Sequence, residues 1–189
     1  MRTTSLNGML TSLATNYNRR NKNVRLYELG NIYLPKALPL TELPDERMQF
    51  TLGMYGDGDF FNMKGVVEEF FEKIGMKGRE KYDPNAGKSF LHPGRQANII
   101  YDGKVVGYLG EVHPEVADIY GIGERAYVAV LDMPEIIPYA TFDRKYTGIA
   151  KYPAVTRDIS MVVPKEILVG QIEDVIEKKG GVQKEENGW

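Results

Sequence analysis

Residues 90–114 read FLHPGRQANIIYDGKVVGYLGEVHP, and this stretch decides the fold. Two apolar, β-branched runs, Asn98-Ile99-Ile100-Tyr101 and Lys104-Val105-Val106-Gly107-Tyr108-Leu109, flank Asp102-Gly103. Asp-Gly suits a two-residue type I′ turn, whose central residues both take φ > 0, so the spacing predicts a β-hairpin. A His-Pro pair stands at each end, His92-Pro93 and His113-Pro114, and these are the protein's two histidines. They read as candidate ligands or general bases, or as fixed turns with imidazole bonded to backbone. A metal needs three or four ligands; Glu111 or Asp102 could add a carboxylate, but no spacing supplies a third partner. A nucleophile needs an activating base, and no serine stands in such a setting.

Upstream, Leu6, Met9, Leu10, Leu13 and Tyr17 recur at helical spacing, with Thr4 or Ser5 as N-cap. The basic run 16–23 that follows is either a solvated loop or an RNA contact. Residues 24–34 have strand composition and end at Pro35. Met48, Phe50, Leu52 and Met54 alternate with Gln49, Thr51 and Gly53, the period of a half-buried antiparallel strand. Gly56-Asp57-Gly58-Asp59 is a turn, lacking the further ligands of a calcium loop. A helix is predicted over 62–74, with Val66, Val67, Phe70, Phe71 and Ile74 as its buried stripe and Gly75 as C-cap.

Downstream, Pro114 suits a first helical position, and a short helix over 115–120 should stop at Gly121. Gly121-Ile122-Gly123-Glu124-Arg125 has the letters of a phosphate cradle. Such cradles lead into a helix, and here a strand, 127–131, follows. That strand is apolar throughout, which predicts a central position. Residues 141–150 read as a linker. The chain restarts at 151, with Ile159, Met161 and Val163 in strand alternation, then Leu168, Ile172, Val175 and Ile176 on one helix face. Residues 151–181 therefore read as the β-α start of a second domain, and 182–189 as a tail. Lys145, Lys151 and Arg157 form a modest basic cluster, either a solvated face or an RNA contact.

The 189 residues carry a net charge of −2, so no overall field draws nucleic acid, although local basic patches remain open. Apolar content of 42% and charged content of 26% are those of a globular protein. Cysteine is absent, which excludes disulfides and thiolate–metal sites and fits a reducing cytoplasm. No run approaches the ~20 apolar residues of a membrane span, and residues 1–10 contain no signal-peptide core. Strands that are mostly antiparallel and mixed with helices predict an α+β fold of five or six strands.

Five stretches together resemble the C-terminal part of the bacterial phenylalanyl-tRNA synthetase β subunit. They are MRTTSLNGML (1–10), RLYELGNIY (25–33), FFNMKG (60–65), the His92-Pro93-Gly94-Arg95 and Gly107-Tyr108-Leu109-Gly110-Glu111-Val112-His113-Pro114 ends of the hairpin, and YPAVTRD (152–158). The resemblance implies a class II synthetase-like antiparallel sheet flanked by helices over 1–140, and the beginning of a ferredoxin-like anticodon-binding domain over 151–181. It implies a catalytic-like module that has lost activity. A working site of that class places an arginine on the strand that here ends Leu34-Pro35. It also has a glycine-rich strand ending in an arginine that opens a helix, which Gly121 to Arg125 imitates only in letters. Catalysis would then belong to an α subunit in an (αβ)2 assembly, with ATP and Mg2+ serving the whole complex, tRNA(Phe) bound through it, and the cytoplasm as its location. Editing and the magnesium-associated region would lie outside this chain. The structural signature would be His92, Pro93, Gly94, Arg95, Gly110, Glu111, His113 and Pro114; Lys145, Lys151 and Arg157 are the candidate tRNA contacts. Apart from the resemblance, a stand-alone RNA-binding module and a small enzyme using His92 and His113 stay open.

Overall fold

The computed structural model describes residues 1–76, 78, 80–143, 146, 148 and 158–179. The chain divides into two compact units, Met1–Arg144 and Lys145–Trp189. The first is α+β: an antiparallel six-stranded sheet in the order β1-β2-β6-β5-β4-β3. Its strands are β1 (Val24–Leu34), β2 (Asp45–Tyr55), β3 (Glu80–Asp83), β4 (Leu91–Tyr101), β5 (Lys104–Val112) and β6 (Ala126–Asp132). Helices α1 (Leu6–Asn18), α2 (Phe60–Lys73), α3 (Pro114–Tyr120) and α4 (Met133–Ile136) flank it.

The run 127–131 lies, as its composition predicts, in the central strand β6. Both of its faces are covered, which is why it contains no polar alternation. Val128 and Val130 pack with Leu6, Met9, Leu10 and Leu13 of α1 and Ala117 of α3. Tyr127, Ala129 and Leu131 pack on the opposite face with Met63, Val67 and Phe71 of α2 and Ile136 of α4. The hairpin turn has the expected positive φ at Asp102 (50°) and Gly103 (78°).

Several local expectations shift. β4 begins seven residues before Asn98, at Leu91, and its register against β5 breaks between Leu91 and Gln96. Pro93 sits in that irregular segment, where a missing amide removes no regular ladder bond. The α2 helix begins at Phe60, because Asp59 and Asn62 form a capping box. Val66 is 41% exposed and does not belong to the buried stripe; Met63 does. Thr4 Oγ1 accepts from the Leu6 amide at 3.2 Å, while the Ser5 hydroxyl caps nothing. It lies instead 2.5 Å from Thr51 Oγ1 and donates to Gln49 Oε1 at 2.7 Å, tying the start of α1 to β2. Strand β3 is four residues long and was outside the sequence pattern.

In the second unit, α5 (Val169–Lys179) matches the expected helix. Residues 158–163 form no strand. Their alternation is real, but a strand exists only when a neighbour completes its ladder. Lys145, Lys151 and Arg157 lie outside the described residues. Among the described residues no helix is long and apolar enough to cross a membrane.

Candidate functional site

The two His-Pro segments meet at one end of the β4–β5 hairpin. Leu91 pairs with Val112, and the His113 amide donates to the Phe90 carbonyl at 2.9 Å. His92 Nδ1 accepts from the Gly94 amide at 3.1 Å. His113 Nδ1 accepts from the Glu115 amide at 3.3 Å and N-caps α3, with Pro114 at the first helical position. Each half-buried imidazole therefore commits one ring nitrogen to backbone. Among the described residues, no three His, Cys, Asp or Glu side chains are grouped to hold a metal ion.

Between these turns lies a buried charge. The Glu111 side chain is 4% exposed, and Arg95 Nη1 stands 3.1 and 3.0 Å from its two oxygens. Arg125 Nε is 3.9 Å away. Glu111 also pairs in register with Tyr127, whose phenol is pushed up by burial first and by the Glu111 charge second. Gly110 permits the approach of β4, since a Cβ there would meet the Arg95 carbonyl oxygen at 2.8 Å. These contacts lock the carboxylate in place.

The glycine-rich run 121–125 is a helix-to-strand turn, with Gly121 at φ 72° as C-cap of α3. The passage from strand to helix occurs instead where β6 enters α4, at Leu131-Asp132-Met133-Pro134-Glu135, and it contains no arginine. Arg47 reaches into that corner from β2, 2.8 Å from Asp132 and 3.1 Å from Glu135. Burial raises the Asp132 carboxyl above its usual range, and the Arg47 charge opposes that rise. This cluster escaped the sequence pattern because its members are 85 and 3 residues apart in sequence and ordinary in composition.

Two surface hollows stand out among the described residues. One, of about 820 Å³, lies at the edge strand β1 and is lined by Met1, Arg2, Leu29, Gly30, Asn31, Tyr33 and Met48. Its arginine is already engaged, donating to the Asn31 carbonyl at 2.9 Å and paired with Glu28. The other, of about 470 Å³, is lined by Glu68, Glu69, Glu72 and Glu80, of which Glu68 pairs with Lys64 and Glu69 with Lys73.

The family model for the phenylalanyl tRNA synthetase beta chain CLM domain matches residues 1–133. The chain belongs to this family. It is 43% identical to the phenylalanine–tRNA ligase beta subunit of Clostridium acetobutylicum, over 96% of this chain and 23% of that one. It is 38% identical to the same subunit of Clostridium tetani, again over 96% and 23%. In Streptococcus thermophilus the figures are 33%, 95% and 24%. The chain thus spans about a quarter of the length of these relatives. Among solved structures it resembles Desulfitobacterium hafniense pyrrolysyl-tRNA synthetase, with a TM-score of 0.58 at 10% identity, over 72% of this chain and 49% of that one. That likeness concerns fold alone and places the sheet among class II tRNA synthetase-like domains.

Proposed function

We propose that this chain is a non-catalytic, subunit-contacting module of a phenylalanine–tRNA ligase β subunit. It supports the ATP-dependent attachment of phenylalanine to tRNA(Phe) by a partner α subunit in an (αβ)2 assembly in the cytoplasm. The observation that carries the proposal is the missing pair of arginines. β1 ends in Leu34-Pro35, and β6 enters α4 through Asp132-Met133-Pro134. Transfer of an adenylate from ATP needs fixed positive charge around the phosphates. The arginines here do not fit the phosphates of ATP: Arg2, Arg47 and Arg95 are each engaged by a carboxylate of the module. ATP and Mg2+ accordingly belong to the parent complex.

His92, Pro93, Gly94, Arg95, Gly110, Glu111, His113 and Pro114 act in this reading as a structural clamp that fixes the β4–β5 end against β6 and α3. The backbone contact of Nδ1 in each ring favours the clamp over a small enzyme using His92 and His113. Co-expression with an α subunit tests the contact half of the proposal. The two chains should co-purify, and ligation should depend on the α subunit's active site alone.

A further inference from the structure

The turn between α1 and β1, 16-NYNRRNKN-23, is held firmly. The Arg19 amide donates to the Asn16 carbonyl at 3.1 Å, Arg20 to Tyr17 at 2.9 Å, and Asn21 to Asn16 at 3.1 Å. Asn21 Nδ2 donates to Asn16 Oδ1 at 2.7 Å. From the sheet, the buried Tyr55 hydroxyl donates to the Asn21 carbonyl at 2.9 Å. Arg20 and Asn23 take φ of 62° and 53°, the left-handed region that side chains other than glycine seldom adopt. Arg19, Arg20 and Lys22 project from this fixed turn, all exposed. None of the three has a carboxylate partner among the described residues. Asp57, on the next turn of the sheet end, is already 3.2 Å from Arg25.

Cations after a helix have an ordinary use, since they complement its negative C-terminal end. That end carries about half an elementary charge. Three cations exceed it, and Arg20 and Lys22 lie beyond the helix. The excess is notable on a chain of net charge −2. A turn whose backbone is fixed and whose cations have no internal ion pair is suited to a polyanion, because little backbone freedom and no ion pair must be given up on contact.

We propose that Arg19, Arg20 and Lys22 form a sequence-independent contact for the phosphodiester backbone of RNA. Guanidinium and ammonium groups bind phosphate oxygens through charge-assisted hydrogen bonds, and release of counterions drives the association. RNA is chosen over an acidic protein because the family is that of a tRNA ligase subunit. The contact does not depend on whether the module binds ATP.

Fluorescence anisotropy of labelled tRNA with the full 189-residue chain, between about 50 and 200 mM salt, tests this. Binding should weaken linearly on a log–log plot. The variant R19Q/R20Q/K22Q should reduce the salt slope by about 2–3 and weaken binding at least about tenfold at the low-salt end. K36Q/K104Q should leave the slope unchanged. If the triple variant does not fold, R20Q and K22Q alone should each lower the slope by about one. The proposal is overturned by any of four results: no tRNA binding by the wild-type chain, an unchanged slope in the variants, competition by polyglutamate equal to that by RNA, or loss of binding only when Lys145, Lys151 and Arg157 are neutralised. Titration with ATP reads out the inactive-module proposal separately.

Discussion

Glu111 is buried on β5 with both oxygens facing one guanidinium nitrogen of Arg95, 3.1 and 3.0 Å away on β4. A carboxylate 4% exposed is expensive to leave unpaired, whereas Arg95, 41% exposed, can turn to water. Arg95→Ala should therefore destabilise the first unit by about 1–3 kcal/mol. Arg125→Ala, at 3.9 Å and 68% exposed, should change stability by less than about 0.5 kcal/mol. Urea denaturation of Arg95→Ala, Glu111→Ala and the double variant checks the pair. The double variant should lose clearly less than the sum of the two singles, and strict additivity would contradict a coupled pair.

Two glycines should respond in opposite directions. A Cβ on Gly107 would meet the Val130 carbonyl oxygen at 2.4 Å, in the neighbouring central strand. Backbone cannot swing aside, so Gly107→Ala should cost about 1–3 kcal/mol. Gly65 lies inside α2, and nothing stands within 4 Å of its added methyl. Gly65→Ala should stabilise by about 0.5–1 kcal/mol, chiefly by restricting the unfolded chain. Thermal melts of the two variants should move to either side of the parent.

Burial pushes the Tyr108 phenol up to about 12 from its usual 10. Between those two values the folded state holds a proton that the unfolded chain has released. Stability from this group is full below about pH 10 and is lost as pH rises toward 12, with a slope of at most about 1.4 kcal/mol per pH unit. Tyr108→Phe should remove that part of the alkaline decline. Parallel denaturation curves for the two proteins from pH 9 to 12 measure it, and identical alkaline slopes would refute the assignment.

Ser5 is 1% exposed and bridges Gln49 and Thr51, itself fully buried. Ser5→Ala leaves the Thr51 hydroxyl without that partner and should cost about 1–3 kcal/mol. Thr4→Ala, which removes only the 3.2 Å contact to the Leu6 amide, should cost less. A larger loss at Thr4 than at Ser5, read by denaturant midpoint, would restore the simple capping role.

Features governed by neighbouring residues were legible in the sequence. Asp102-Gly103 specifies its turn through local backbone preference, and the unbroken apolar run of β6 announces burial on both faces. Features completed by distant partners were not. Asp59 and Asn62 cap α2 reciprocally, but each also reads as an ordinary turn residue. Strand β3 is too short to show a period and exists only by pairing with β4. The alternation at Ile159, Met161 and Val163 suggests a strand that the described residues do not pair. At the hairpin ends, the residues were legible as a group from their resemblance to a family. The Arg95–Glu111 contact that makes them one unit needed the register of β4 on β5.

The central claim, that the module carries a synthetase-like sheet without its chemistry, is tested most directly by isothermal titration calorimetry of the chain with ATP and with phenylalanine. No saturable heat is expected with either ligand, alone or together, with Mg2+ present. Stoichiometric binding of ATP or phenylalanine at micromolar affinity would contradict it.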